Sequence, residues 1–224
     1  SGPVGPTLAR LAVPGIAASL TQSSLTVVEG IYLGMLGTVE LAGVALVFPI
    51  YMLINMLSAG AVGGAVAGAT ARAMGAEDHG RAETILRLSI VIGLTGGGLM
   101  AVIVIGFGAT IFTLLGGTGQ VHDVAMTYSG PLFVGAVFMW LFNMMCSVLR
   151  GTGDTLRPAI GFTLIAICHA VLAAILVFGF GPVPAMGVFG AGIALPLAFM
   201  IGMIYTGWHF FGGHAAVKWH LGSI

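Results

Sequence analysis

This sequence is nearly without charge: seven basic and seven acidic residues stand in 224, or 6% of the chain. Soluble domains carry about 25%, so the shortage excludes an ordinary water-soluble globule. The net charge is zero, which leaves no basic surface for nucleic acid, and no nucleic-acid-binding motif is present. Cysteine occurs twice, at Cys146 and Cys168, both inside apolar runs. That excludes a disulfide framework and suits two small apolar fillers. Enzyme signatures are missing too. No serine has glycine two positions before it, as an intramembrane serine protease motif requires. Gly151-Thr152-Gly153 follows a helical run and lacks the strand that a nucleotide-binding loop needs. His209, His214 and His220 match no standard metal-ligand spacing. No enzymatic activity, metal or cofactor is expected.

What fills the chain is apolar: 58% hydrophobic residues and a mean hydropathy of +1.10. Six apolar stretches stand between turn-rich breaks, at about 8–36, 39–73, 81–115, 121–149, 158–180 and 187–211. Each meets the roughly 20 residues of a helical crossing. None shows the alternation over about 10 residues that marks a membrane β-strand. The expected fold is therefore an all-α integral membrane protein, with residues 1–224 forming one six-transmembrane-helix bundle in the lipid bilayer. The basic residues Arg10, Arg72, Arg81, Arg87, Arg150, Arg157 and Lys218 fall at the start of the first stretch, in or beside alternate breaks, or after the last stretch. The intervening breaks carry no Lys or Arg. The positive-inside rule then places both termini in the cytoplasm of a plasma membrane, a prokaryotic inner membrane.

Glycine is abundant, 37 residues in all. Gly60, Gly64 and Gly68, Gly30 and Gly34, and Gly93 and Gly97 recur at four-residue spacing, which lets helix backbones approach closely in lipid. Pro14 and Pro49 lie inside the first two stretches, where each removes a helix hydrogen bond. Pro14 is the candidate hinge, because it shares its helix with the one carboxylate at membrane depth, Glu29. A buried ionisable group costs roughly 2.5–3.5 kcal/mol even on the lenient insertion scale, so it usually faces a polar cavity. Gln22, Thr26 and Glu29 share one helical face, flanked by Tyr32 or Leu33. His169, midway along the fifth stretch, is a candidate partner in proton exchange with Glu29. Asn55, Asn143 and Tyr51 are further cavity candidates, with helix-to-helix hydrogen bonding as their alternative role.

Several segments together resemble the multidrug and toxic compound extrusion (MATE) family. Leu8-Ala9-Arg10-Leu11-Ala12-Val13-Pro14 resembles its opening helix, and Val28-Glu29-Gly30-Ile31-Tyr32-Leu33-Gly34 the segment with that helix's acidic residue. Ala71-Arg72-Ala73-Met74-Gly75-Ala76 is similar to the exit of its second helix, and Gly187-Val188-Phe189-Gly190-Ala191 to the start of its sixth. Leu149-Arg150-Gly151-Thr152-Gly153-Asp154-Thr155 resembles its loop between helices four and five. The resemblance implies one lobe, the N-terminal, of a twelve-helix transporter that exports organic cations against H+ or Na+. The chain is then either a fragment whose C-terminal six-helix lobe lies elsewhere or a half-size protein that pairs as a parallel homodimer; the fragment is favoured. On helix five some members carry asparagine and, four residues later, aspartate, where this chain has His169 and Ala173. A helix-six threonine is here Leu195. The implied assignment is Glu29 with His169 for proton or cation coupling, and Gln22, Thr26, Tyr32, Tyr51, Asn55 and Asn143 for the cavity. Three rivals stand beside it: a lipid-linked oligosaccharide flippase of the same superfamily, a major-facilitator-type half transporter, and a non-transporting membrane scaffold.

Overall fold

A computed structural model describes residues 23–212 together with Ile16 and Leu20. Pro14 and Gln22 lie outside the described residues. Helix α1 is Ser23–Leu36, and one residue, Gly37, separates it from α2, Thr38–Asn55. Gly37 has φ near +156°, and a Cβ there would collide with the Glu40 carboxylate. So tight a turn needs glycine. Helix α2 runs on through a π-helical stretch, Met56–Val62, into α3, Gly63–Gly75. The three form one helix of 38 residues, Thr38–Gly75. Pro49 sits inside α2 without ending it.

Helix α4, His79–Leu114, starts on a capping aspartate: Asp78 Oδ1 accepts from the Arg81 backbone N–H at 2.9 Å. Helices α5, Gly119–Val134, and α6, Ala136–Gly151, follow. Helix α7, Leu156–Phe178, starts on Asp154, which accepts from the Arg157 backbone N–H at 3.1 Å and pairs with its guanidinium at 3.0 Å. Helix α8 is Gly187–Phe211. By length and composition four of these helices can cross a membrane, counting Thr38–Gly75 as one, and the pair α5–α6 makes a fifth. Helix α1 is a shorter apolar helix among the described residues.

The stretch at about 121–149, expected as one span, is bent by 47° at Gly135. Pro131 cannot donate to the carbonyl one turn before it, which loosens the ladder there. The absent side chain of Gly135 is then filled by a neighbour: a Cβ on it would overlap Pro196 of α8. Close packing against α8 fixes the bend.

Helix α6 is the axis of the bundle. Every residue from 139 to 149 is buried, and α3, α4, α7 and α8 pack around it. Helix α4 buries only a stripe, Ala82, Leu86, Ser89, Gly93, Gly97, Val104, Gly108 and Phe112, at the three-and-four spacing of one helix face. The outer surface is apolar, with Leu53, Val102, Phe107 and Ile167 at least 60% exposed. Such a belt suits lipid and not water.

The glycine repeats divide. A Cβ at Gly97 would press on the Val137 backbone and one at Gly93 on Leu141, so these two carry the α4–α6 contact. Gly30, Gly34, Gly60 and Gly64 have nothing within 4 Å of an added Cβ, and Gly68 only the Arg72 side chain. Among the described residues the expected close approach at these positions of α1 and α2–α3 is not seen. Close contact along α2–α3 falls instead at Gly43, against Val124 of α5, and at Gly63, against Ser147 of α6 and the Ser58 carbonyl. Gly97→Ala is expected to destabilise the chain in detergent by about 1–3 kcal/mol through overpacking. Gly64→Ala, at an open helical site, should instead stabilise it by about 0.5–1 kcal/mol. Thermal unfolding of the two variants side by side checks the division.

Candidate functional site

Glu29 lies on α1 two turns before the Gly37 turn, and is half-buried. Its carboxylate needs a donor at that depth, and Tyr128 of α5 supplies one: the phenol donates to Glu29 Oε1 at 2.5 Å. A phenol-to-carboxylate bond of that length belongs to the strong, charge-assisted class. Tyr128 is itself buried. It is held in place because α5 packs on α8 through Gly192, where a Cβ would run into the Tyr128 carbonyl.

Around this pair lies a cleft of about 420 Å³, its open side included. Thr26, Glu29, Tyr51 and Tyr128 give it polar groups, and Val44, Phe48 and Leu195 give it apolar wall. Among the described residues no Lys or Arg lines it. Tyr51 and Leu195 also line a second cleft of about 240 Å³, walled by Phe133, Met139, Pro196 and Phe199. A carboxylate flanked by two phenols, beside an aromatic and aliphatic recess, can hold a proton, a small cation or the cationic end of an amphipathic molecule.

The expected residues fall into three groups. Glu29, Thr26 and Tyr51 come together in the cleft. Tyr32 does not line it; its ring packs edge-on against Phe178 at the end of α7, with centroids 5.6 Å apart. Three residues past Glu29, Tyr32 falls about 60° short of a full helical turn, which carries its ring off the polar face toward α7. His169 is fully buried in α7, and neither ring nitrogen has a partner among the described residues. It is absent from the cleft lining, so no contact joins it to Glu29. Asn55 and Asn143 take their alternative role. Asn143 Nδ2 of α6 donates to Asn55 Oδ1 at 3.3 Å and to Ser58 Oγ at 2.9 Å, bonding α6 to α2 and its π-helical extension.

The sequence reading passed over Tyr128, Ser58 and Ser147. Tyr128 had one available signal: counted from the charge-poor breaks, it stands at nearly the depth of Glu29. Leu195 is in the cleft wall, and Ala173 is buried in α7.

The sequence profile of the MatE family matches residues 14–176. The chain belongs to the MATE family. A relative described as an FAD transporter, from Shewanella oneidensis, is 27% identical over 212 residues, 93% of this chain and 46% of its own length. A probable multidrug resistance protein, NorM of Bradyrhizobium diazoefficiens, is 30% identical over 193 residues, 84% of this chain and 40% of its own. A crystal structure of a MATE protein in the bent conformation superposes with a TM-score of 0.88 at 27% identity, over 96% of this chain and 47% of that one. The chain thus spans about half the length of the MATE relatives it matches, and it has the fold of one of their lobes.

The Glu29–Tyr128 bond can be measured directly. A double-mutant cycle of Glu29→Gln and Tyr128→Phe, read as unfolding free energy in detergent, should give a coupling of about 1.5–3 kcal/mol, the range for hydrogen bonds to charged groups.

Proposed function

We propose that this chain is the N-terminal lobe of a cation-coupled multidrug antiporter that moves organic cations out of the cell by alternating access. The observation that carries the reading is the cleft itself: an intramembrane carboxylate, two phenols and an apolar recess, with no basic residue among the described residues of the lining. Glu29 binds either a coupling ion, H+ or Na+, or the cationic substrate. Because one carboxylate can neutralise one charge at a time, binding of either partner displaces the other. Inward movement of one positive charge down the membrane potential supplies about 2.3 kcal/mol per 100 mV. The multidrug resistance relative supports the substrate class, and the half-length match supports a second six-helix lobe, on another part of a longer chain or on a second copy. The charge pattern supports a plasma membrane location with the basic end of the bundle in the cytoplasm.

A second reading comes from the FAD transporter relative. Its cargo carries phosphates, which call for Arg or Lys in the binding site. Among the described residues the clefts of this lobe have neither, so the cationic reading is preferred. The same objection applies to a lipid-linked oligosaccharide.

With the full-length protein in proteoliposomes, ethidium added on one side is expected to drive proton or sodium flux, and Glu29→Gln to abolish it. Flux that persists at the wild-type rate in Glu29→Gln removes the coupling assignment. Flux driven by FAD and not by ethidium reverses the choice of substrate class.

A further inference from the structure

Two residues belong to both clefts. Tyr51 of α2 and Leu195 of α8 line the Glu29 cleft and the apolar recess alike. Along α2 the cleft also takes Val44, Phe48 and Met52, whereas among the described residues Tyr51 is the sole contribution of α2 to the recess. The two side chains therefore stand as a partition. On one side are the carboxylate and the Tyr128 phenol; on the other are Phe133, Met139 and Phe199. The recess wall comes from both sides of the Gly135 bend, from Phe133 of α5 and Met139 of α6. Small-molecule sites occupy about 300–1,000 Å³. The recess, at about 240 Å³, falls short of that, and the cleft reaches about 420 Å³ only with its open side included. Joined, the two come well within the range.

The partition is looser on its α2 side. Leu195 is buried, but Tyr51 is only half-buried. Among the described residues the Tyr51 hydroxyl makes no hydrogen bond, whereas that of Tyr128 is held by Glu29. Tyr51 also lies between two interruptions of its helix. Pro49 has no N–H to give the Ala45 carbonyl. At Met56 the helix turns π-helical, a local widening frequent at functional sites. A segment with its ladder loosened on either side reorients a side chain at less cost than a regular helix does.

We propose that Tyr51 is the selectivity residue of this site: its ring, with Leu195, closes the recess off from the cleft and swings aside to admit the apolar body of a flat aromatic cation. The inference rests on the cationic reading above and narrows its substrate class. The charged end of such a molecule pairs with Glu29. Its ring system takes the place vacated by Tyr51 and packs on Phe133, Met139 and Phe199. A compact cation such as tetramethylammonium stays in the cleft and leaves the partition closed. Discrimination between the two is then set by the work of moving one ring.

Equilibrium binding to the full-length protein in detergent tests this, with ethidium read by its fluorescence and tetramethylammonium as its competitor. The quantity measured is the ratio of the two Kd values. Tyr51→Trp, which thickens the partition, is expected to shift the ratio about 10-fold against ethidium. Tyr51→Ala and Leu195→Ala, which open it from either side, should shift the ratio several-fold toward ethidium, and Leu195→Ala serves if Tyr51→Ala does not fold. Tyr51→Phe keeps the ring and should keep the wild-type ratio. A ratio unmoved by the tryptophan and alanine variants, or moved as far by Tyr51→Phe as by Tyr51→Ala, overturns the partition. Glu29→Gln separates the two layers. If it weakens both cations while the Tyr51 variants leave the ratio alone, only the partition fails; if both cations bind it as tightly as wild type, the cationic reading fails as well.

Discussion

The hydrogen bond between Tyr128 and Glu29 is the contact on which the site depends. A carboxylate in a helix that has so few other polar groups is tolerable only with a donor close by, and the donor here comes from a helix 99 residues further on. That single requirement fixes where α1 sits against α5. It also fixes α5 against α8, since the phenol is held at its height by the close approach at Gly192. The bend at Gly135 follows one helical turn past Pro131 and lets α6 leave along a different line. In a bundle whose exterior faces hydrocarbon, there is no water to stand in for any of these partners, so the polar contacts are as restrictive as the packing.

Packing sets the rest. With α6 buried along its whole central length, its neighbours must present small residues or lose contact. Gly93 and Gly97 on α4 and Gly63 at the start of α3 do so. The same burial makes the asparagine and serine positions of α6 conspicuous, because a central helix could be filled more simply by apolar side chains. Ion-free polar groups in such a place tie helices together at modest individual strength.

The all-helical membrane fold was legible in composition, because apolar runs interrupted by short breaks have few other solutions. Glu29 was legible for the same reason: a charge in hydrocarbon is conspicuous. Its partner was not. Tyrosine at membrane depth is unremarkable alone, and only the folded chain brings residue 128 beside residue 29. Spacing also misjudged the glycines. The repeat at Gly60, Gly64 and Gly68 has the same period as that at Gly93 and Gly97, yet only the latter faces a neighbour within the bundle. Periodicity reports that a smooth face exists, not what lies opposite. The bend at Gly135 escaped for a related reason: hydropathy is continuous through it. Tyr32 and His169 were drawn toward Glu29 by depth and polarity, but rotation about each helix axis sends one against Phe178 and the other into an interior without partners.

The wall of the cleft limits what Glu29 could do there. Leu195 adds apolar surface from α8, and Glu29 is the one acid among the described residues that line it. Under the proposed reading, such a cleft holds one negative charge, so the carboxylate with its phenol donor releases a proton before it takes a cation, and exchange is obligatory.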